Sequence, residues 1–336
     1  MELSTQNNPL VSVIVPVKNG SITLDACLRS IERSYYKNFE IIVVDDHSAD
    51  NTIEIARQHK CAVLEATDGR GANHARNLGA THAKGSILVF LDSDIIVRRE
   101  TVLTIVETLE DVGMDAVVGI YTAKHRHETF VSQYKNLWVR YSYLKSLPYI
   151  DWLFGAVSGI KREAFDRIGG FNVGLVNQQG TEDIELGKRF SKAKMNVVLN
   201  TDIEVEHLRS YTLRSFIRNE FTRSAGFAEL ATQLGESTRS LRHGFANVYP
   251  SFVASTILSI ILLFLLSSYL MGWAASWYLG IGAGIYFILN IRFLNYLEQV
   301  RGLFAMMVMV PILFLDHLVC FLGSVVGVVK GLLTRS

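Results

Sequence analysis

The chain has 336 residues, enough for one domain of about 200 to 250 residues with a smaller part beside it. A formal net charge of +1 excludes the global field that would draw nucleic acid or a strongly acidic partner. Cys27, Cys61 and Cys320 lack the close spacing of a metal or redox motif and suit a reducing compartment. The composition is 49% hydrophobic with a mean hydropathy of +0.23, and the apolar excess is concentrated from 244 to 291, where no Asp, Glu, Lys, Arg or His occurs.

In chain order, MELSTQNNPL is polar and lacks a basic start followed by an apolar core, so it is not a signal peptide and the amino-terminal domain is expected in the cytosol. Val11 to Val15 predicts a β-branched strand stopped by Pro16, and Leu24 to Arg33 has the spacing of an amphipathic helix. Glu40 to Val44 predicts a second strand running into Asp45 and Asp46, Ser48 to Gln58 a capped helix, and Ala62 to Glu65 a third strand. A helix from Gly71 to Ala83 then precedes a strand from Ile87 to Leu91. Strands alternating with helices in this way mean an α/β unit with a mainly parallel sheet, whose ligands bind beyond the carboxyl ends of the strands.

Both acidic clusters, Asp45–Asp46 and Asp92-Ser93-Asp94, fall at such strand ends and are expected to face one crevice. Two aspartates at i and i+2 point to the same side of an extended chain, where they can share one hard cation or simply form a polar turn. Carboxylates converging on one crevice repel each other unless a cation or hydrogen-bond donors offset them, and a nucleotide diphosphate with a divalent metal supplies both.

Gly155 to Phe171 predicts a strand, a helix and a glycine turn, leading through Asn177 to Gly180 into TEDIELGKRF. There Thr181 can cap a helix with Glu182 and Asp183 in its first turn; the pair reads either as ordinary capping or as a general base near an acceptor hydroxyl. His207 follows a strand that starts at Asn196 and extends through Val205. Arg209, Arg214, Arg218 and Arg223 form a basic face for anionic lipid, with Arg214 or Arg218 also candidates to reach a diphosphate leaving group. The aromatic segment Tyr121 to Tyr149 reads as an acceptor wall or as a packed amphipathic helix, with the second preferred.

The apolar interval predicts two bilayer spans, Tyr249 to Met271 and Trp273 to Asn290, with a turn near Gly272. Leu303 to Val329 is a third apolar segment, which crosses the membrane or lies re-entrant or in its plane, because Lys330 and Arg335 favour the inside. Asp316 in its middle is expected to face protein or an interface rather than lipid.

VSVIVPVKNG, EIIVVDDHSADNT, GANHARNLGATHAKGSILVFLDSD, IGGFN, TEDIELGKRF and VEH, in this order and spacing, resemble the family 2 glycosyltransferases. The resemblance covers Pro9 to Arg223 and implies an inverting enzyme with a GT-A fold, Rossmann-like and mainly parallel with helices on both faces, here followed by transmembrane helices. The implied organisation is a cytosolic catalytic domain over 1–208, a basic juxtamembrane region over 209–248, two spans within 249–291 and the third segment at 303–330.

The resemblance implies nucleotide binding by Pro16, Val17, Asp45, Asp46, Arg76, Asn77, Asp92 and Ser93. It further implies Mn²⁺ or Mg²⁺ on Asp94 with Asp92 and His207, and a catalytic base at Asp183 oriented by Glu182. The partners implied are a nucleotide-diphosphate sugar, a UDP-sugar first among them, a lipid-linked or glycan acceptor, and the membrane, in a setting like a bacterial inner membrane. No QxxRW sequence follows the base, which favours a single transfer over polymerisation, and IIVRRE after the aspartates departs from the polyprenyl-phosphate sugar synthases. The alternatives are a polyprenyl-phosphate glycosyltransferase, a nucleotidyltransferase, for which PVKNGS is a poor match, and a non-catalytic membrane-anchored subunit.

Overall fold

The computed structural model describes residues 8–66, 71–111, 113–146, 148–174, 181–235, 248–273 and 275–334. The Asn177 to Gly180 approach to TED, residues 244–247 of the uncharged interval and Arg335 lie outside the described residues. The chain forms two compact units. The first comprises Met1–Arg126, Ser146–Asn177 and Glu182–Arg209, and the second His127–Lys145, Gln178–Thr181 and Ser210–Ser336. In this division residues 127–145 group with the carboxyl-terminal helices.

The first unit is built on a sheet in the order β3-β2-β1-β4-β8-β6-β9-β5, with β7 paired to β9. Its strands are β1 (Val11–Val17), β2 (Phe39–Asp45), β3 (Ala62–Glu65), β4 (Ile87–Leu91), β5 (Ile95–Val97), β6 (Ala116–Tyr121), β7 (Tyr149–Ile150), β8 (Val157–Lys161) and β9 (Val197–His207). Strands β1 to β4, β6 and β9 run one way, and β5, β7 and β8 run against them. The continuous apolar runs of β1 and β4 are buried along their whole length, as strands covered on both faces must be.

The sheet is covered by α1 (Leu24–Glu32), α2 (Thr52–Ala56), α3 (Ala72–His82), α4 (Thr101–Glu110), α6 (Arg162–Ile168) and α7 (Glu182–Lys192); α5 (Phe130–Leu144) belongs to the second unit. Leu24, Cys27, Leu28 and Ile31 form the buried face of α1, as their spacing predicts. Two expectations are corrected. Pro16 lies inside β1, because beyond Ile14 that strand pairs with β2 alone and one backbone donor is dispensable. The helix expected over Ser48 to Gln58 shrinks to Thr52–Ala56, because Asp50 accepts from the Ser21 and Thr52 backbone N–H groups and ties this segment to the loop after β1.

Helix α7 lies directly on the backbone of Trp152, where a Cβ at Gly187 would stand 2.3 Å from the Trp152 Cα. Gly187→Ala is therefore expected to push α7 outward and destabilise the unit by about 1–3 kcal/mol, read as a lower midpoint in thermal unfolding.

In the second unit, α8 (Leu213–Gln233) opens with a capping box between Thr212 and Ser215. It is followed by α9 (Pro250–Leu270) and α10 (Ser276–Thr334), both long and apolar enough to cross a membrane, with a mean hydropathy of 2.2 in the best window of each. Gly272 makes the turn between them at φ 73°. At about 1.5 Å per residue the 59 residues of α10 exceed any bilayer, and Gly302, with φ 83° and ψ 165°, breaks the helix into 276–301 and 303–334. The first piece runs past the expected end at Asn290.

The second piece lies along α8, where a Cβ at Gly323, Gly327 or Gly331 would fall within 2.8 Å of α8 atoms, so these glycines allow the close approach. Asp316 is fully buried and accepts a hydrogen bond from Tyr134 Oη of α5 at 2.7 Å, facing protein as expected. Among Glu220, Asp316 and Cys320, the Lys135 ammonium, 2.5 Å from Glu220, already supplies the cation. Of the segment Tyr121 to Tyr149, residues 130–144 form the packed helix α5, with Tyr134, Leu137 and Tyr143 buried.

Candidate active site

The site is assembled at the carboxyl ends of the strands of the first unit. At the ends of β1 and β2, Asn19 and His47 adopt left-handed conformations (φ 53° and 62°). Asn19 N–H donates to Ser48 Oγ at 2.8 Å and Ala49 N–H to Asn19 Oδ1 at 2.8 Å, so the two loops hold each other. Between them, Asp46 N–H donates to the Val17 carbonyl at 2.8 Å, which continues the register of Pro16 and Val17.

Asp45 and Asp46 are both buried. Asp45 Oδ2 accepts from Ser48 N–H at 3.0 Å, whereas its Oδ1 is buried without a hydrogen-bond partner among the described residues. A buried carboxylate oxygen left in that state is costly unless a ligand donates to it. Asp46 Oδ1 accepts from Gly71 N–H at 3.1 Å, and Lys18 Nζ lies 3.7 Å from its other oxygen. The loop after β1 also passes Ser93, whose Oγ is 3.7 Å from the place a Cβ on Gly20 would take.

The two aspartates of the DSD turn have different partners. Asp92 Oδ1 accepts from Arg76 Nη2 at 2.9 Å. Asp94 Oδ2 lies 3.3 Å from His207 Nε2, brought there by the antiparallel pairing of Ile95 with His207. The His207 ring stacks on Tyr121 with centroids 4.7 Å apart. Burial raises the Asp92 carboxyl to about 6, aided by Asp94 and Glu182 and opposed by Arg76. Burial also works against Asp94, but the His207 hydrogen bond and charge and the nearby Arg209 outweigh it and hold that carboxyl below its ordinary value.

Arg76, on α3, is the cation at the centre. It is almost fully buried, its guanidinium carbon lies 5.3 Å from the Phe171 ring centroid, and its Nη1 lies 3.6 Å from Glu182. Arg76→Gln would remove the guanidinium held between Asp92 and Glu182, a loss of about 1–3 kcal/mol once the partial exposure of Asp92 is allowed for. The loss is expected to be larger at pH 8 than at pH 5, because Asp92 takes up a proton as pH falls through about 6; thermal unfolding at the two pH values measures it.

Asp183 stands at the start of α7. Its Oδ2 accepts from Gly155 N–H and its Oδ1 from Ile184 N–H, both at 3.0 Å, and Leu153 N–H donates to its carbonyl at 3.1 Å. Burial raises its carboxyl to about 7, with Glu182 adding to the rise and the two backbone donors and Arg76 opposing it.

Pro16, Val17, Asp45, Asp46, Arg76, Asp92, Ser93, Asp94, Glu182, Asp183 and His207 all lie in the first unit. Asn77 has a different task. Its amide donates to the Phe171 carbonyl at 2.8 Å and accepts from Phe171 N–H at 2.9 Å, so it clamps the glycine turn instead of pointing to a ligand. Arg214 and Arg218 stand on α8 in the second unit. Gly155, Phe171 and Tyr121 carry contacts that no local sequence pattern indicates, because each acts through a partner far along the chain.

The family model described as glycosyl transferase family 2 matches residues 12–169. Over this stretch, just under half of its length, the chain is similar to glycosyl transferase family 2. A second model, described as the N-terminal domain of galactosyltransferase, matches residues 142–212. Glycosyltransferase GlyG of Streptococcus pneumoniae is 36% identical over 117 residues, 33% of this chain and 39% of that protein. The Escherichia coli UDP-Glc:alpha-D-GlcNAc-diphosphoundecaprenol beta-1,3-glucosyltransferase WfgD is 38% identical over 97 residues, 26% of this chain and 36% of that protein. The chain therefore spans well under half the length of these curated relatives. The mannosyltransferase PcManGT from Pyrobaculum calidifontis, solved with GDP-Man and Mn²⁺, shares the fold at a TM-score of 0.58 and 19% identity, over 98% of this chain and 88% of that one.

Proposed function

We propose that the chain is an inverting glycosyltransferase that moves one sugar from a nucleotide-diphosphate sugar, a UDP-sugar in the first instance, to a hydroxyl of a lipid-linked or glycan acceptor. The observation that carries this reading is Asp183, a carboxylate held by two backbone donors and raised to about 7, where a general base works best near neutral pH.

Asp45 and Asp46 receive donors from the base and ribose, the unpartnered Asp45 Oδ1 first among them. Asp94 and His207 offer a carboxylate oxygen and an imidazole nitrogen side by side, a donor set that fits Mn²⁺ or Mg²⁺, with Asp92 next to them. When bound, such an ion supplies positive charge to the diphosphate leaving group. Arg76 keeps the surrounding carboxylates apart from mutual repulsion and fixes Asp92 and Glu182. Asp183 accepts the proton of the acceptor hydroxyl as the oxygen attacks the anomeric carbon from the face opposite the nucleotide.

The long apolar helices and the printed acceptor of the Escherichia coli relative, a diphosphoundecaprenol-linked sugar, support a lipid-linked acceptor. In this reading α9 and the 276–301 helix cross the membrane, the catalytic unit works at its cytosolic face, and 303–334 lies in the membrane plane along α8. Loading of a polyprenyl phosphate is the second reading, favoured by the same helices; an ionised phosphate acceptor, however, would leave Asp183 without a proton to take. The test is release of free nucleotide over a panel of nucleotide sugars by the full chain in lipid, with Mn²⁺, with Mg²⁺ and with EDTA. Metal-dependent release from one donor is expected; no release from any donor, with lipid extract present, would leave only a non-catalytic anchored subunit.

A further inference from the structure

The second unit holds a pocket of about 240 Å³ where the carboxyl end of α5 meets the start of α9 and the 288–293 stretch of α10. Its charged lining residues are Lys145 and Arg292, and no carboxylate lines it. Among the described residues neither cation has an ion-pair partner: Lys145 Nζ lies instead 4.2 Å from the Tyr249 ring centroid and 5.3 Å from that of Tyr141. Burial, then the nearby Arg292, lowers the affinity of Lys145 for its proton, as expected of two cations left facing one cavity.

The start of α9, a helix of 21 residues, adds its own positive end, and Ser251 of its first turn lines the pocket. Both cations and the positive end of α9 thus favour an anion, and they outweigh the negative carboxyl end of α5 that also meets the pocket. The remaining wall is apolar, with Phe252, Ile288 and Phe293, and Ile288 is largely exposed at the side of the helix. A wall of that kind suits methylenes and not a fully hydrated ion. Tyr141, Tyr249 and Trp138 supply the amphipathic aromatics found at the level of lipid headgroups.

We propose that this pocket binds the phosphate headgroup of a membrane lipid, with the phosphate between Lys145 and Arg292 and the first carbons of its chain against Phe252 and Ile288. The proposal does not rest on the transfer chemistry of the first unit, and binding alone tests it.

The experiment uses the full chain in neutral detergent and measures retained lipid by native mass spectrometry. Dioleoyl phosphatidic acid, dioleoylglycerol and inorganic phosphate serve as probes. Phosphatidic acid is expected to bind about tenfold or more tightly than dioleoylglycerol, and inorganic phosphate in large excess is expected not to displace it. The Lys145→Gln, Arg292→Gln double variant is expected to lose that preference, while Lys145→Arg keeps it and Lys84→Gln on the first unit leaves it unchanged. Equal binding of dioleoylglycerol would overturn the proposal by showing an apolar groove alone. Displacement by inorganic phosphate would overturn it by showing a site for a soluble anion. The probe comparison on the wild-type chain decides the matter even where the double variant does not fold.

Discussion

Replacing Asp183 by Asn is expected to lower kcat by about 10²–10⁴-fold while leaving the KM for the donor nearly unchanged. The carboxylate sits where the Gly155 and Ile184 N–H groups hold it, and an asparagine there keeps the shape and one of the two hydrogen bonds but takes no proton. The pH profile carries the sign. A base raised to about 7 is only about one-tenth deprotonated at pH 6, so wild-type kcat/KM should climb with pH and level off above about 7. The variant should lose that limb. Steady-state kinetics over roughly pH 5 to 9 decides it. A variant within a few-fold of wild type would mean that the acceptor arrives already ionised, as a lipid phosphate does.

Asp94→Ala should reduce turnover by about 10²–10³-fold, in the range seen when one electrostatic stabiliser of developing charge is removed. EDTA should bring the wild type down to a similar level and should hardly change the variant. Titration of Mn²⁺ followed by calorimetry gives a reading independent of turnover, with a well-defined binding step in the wild type and a weak one in the variant. The neighbouring aspartate is expected to behave differently. Asp92 is bonded to Arg76, so Asp92→Asn should affect thermal stability more than Mn²⁺ affinity, whereas Asp94, beside His207, should show the reverse. Equal metal losses for both variants would contradict this division of labour.

Much of the first unit was legible in the chain itself. The apolar β-branched runs announce β1, β2 and β4, and the acidic pairs after them lie at the strand ends where α/β sheets bind ligands. Gly71, with φ 89° just before α3, and Gly169 and Gly170, with φ 79° and 69° after α6, are punctuation that sequence reading placed correctly. The reversed strands were not legible. β8 enters between β4 and β6 because its residues pair with both neighbours across gaps of dozens of residues, and no local periodicity carries that. Nor was the task of Asn77, since its clamp on Phe171 spans 94 residues of chain.

By itself the sequence determined the strand and helix alternation, the two acidic strand ends, the helix start that carries Asp183 and the apolar carboxyl-terminal segments. These follow from patterns a few residues long, set by backbone geometry and burial. Only the tertiary structure decided that Arg76 joins Asp92 to Glu182, that His207 meets Asp94, that α5 belongs with the carboxyl-terminal helices, and that Lys145 and Arg292 share a pocket without an acid. Each of these pairings joins residues distant in sequence, and the charge balance of a buried site is known only once the fold has brought its charges together.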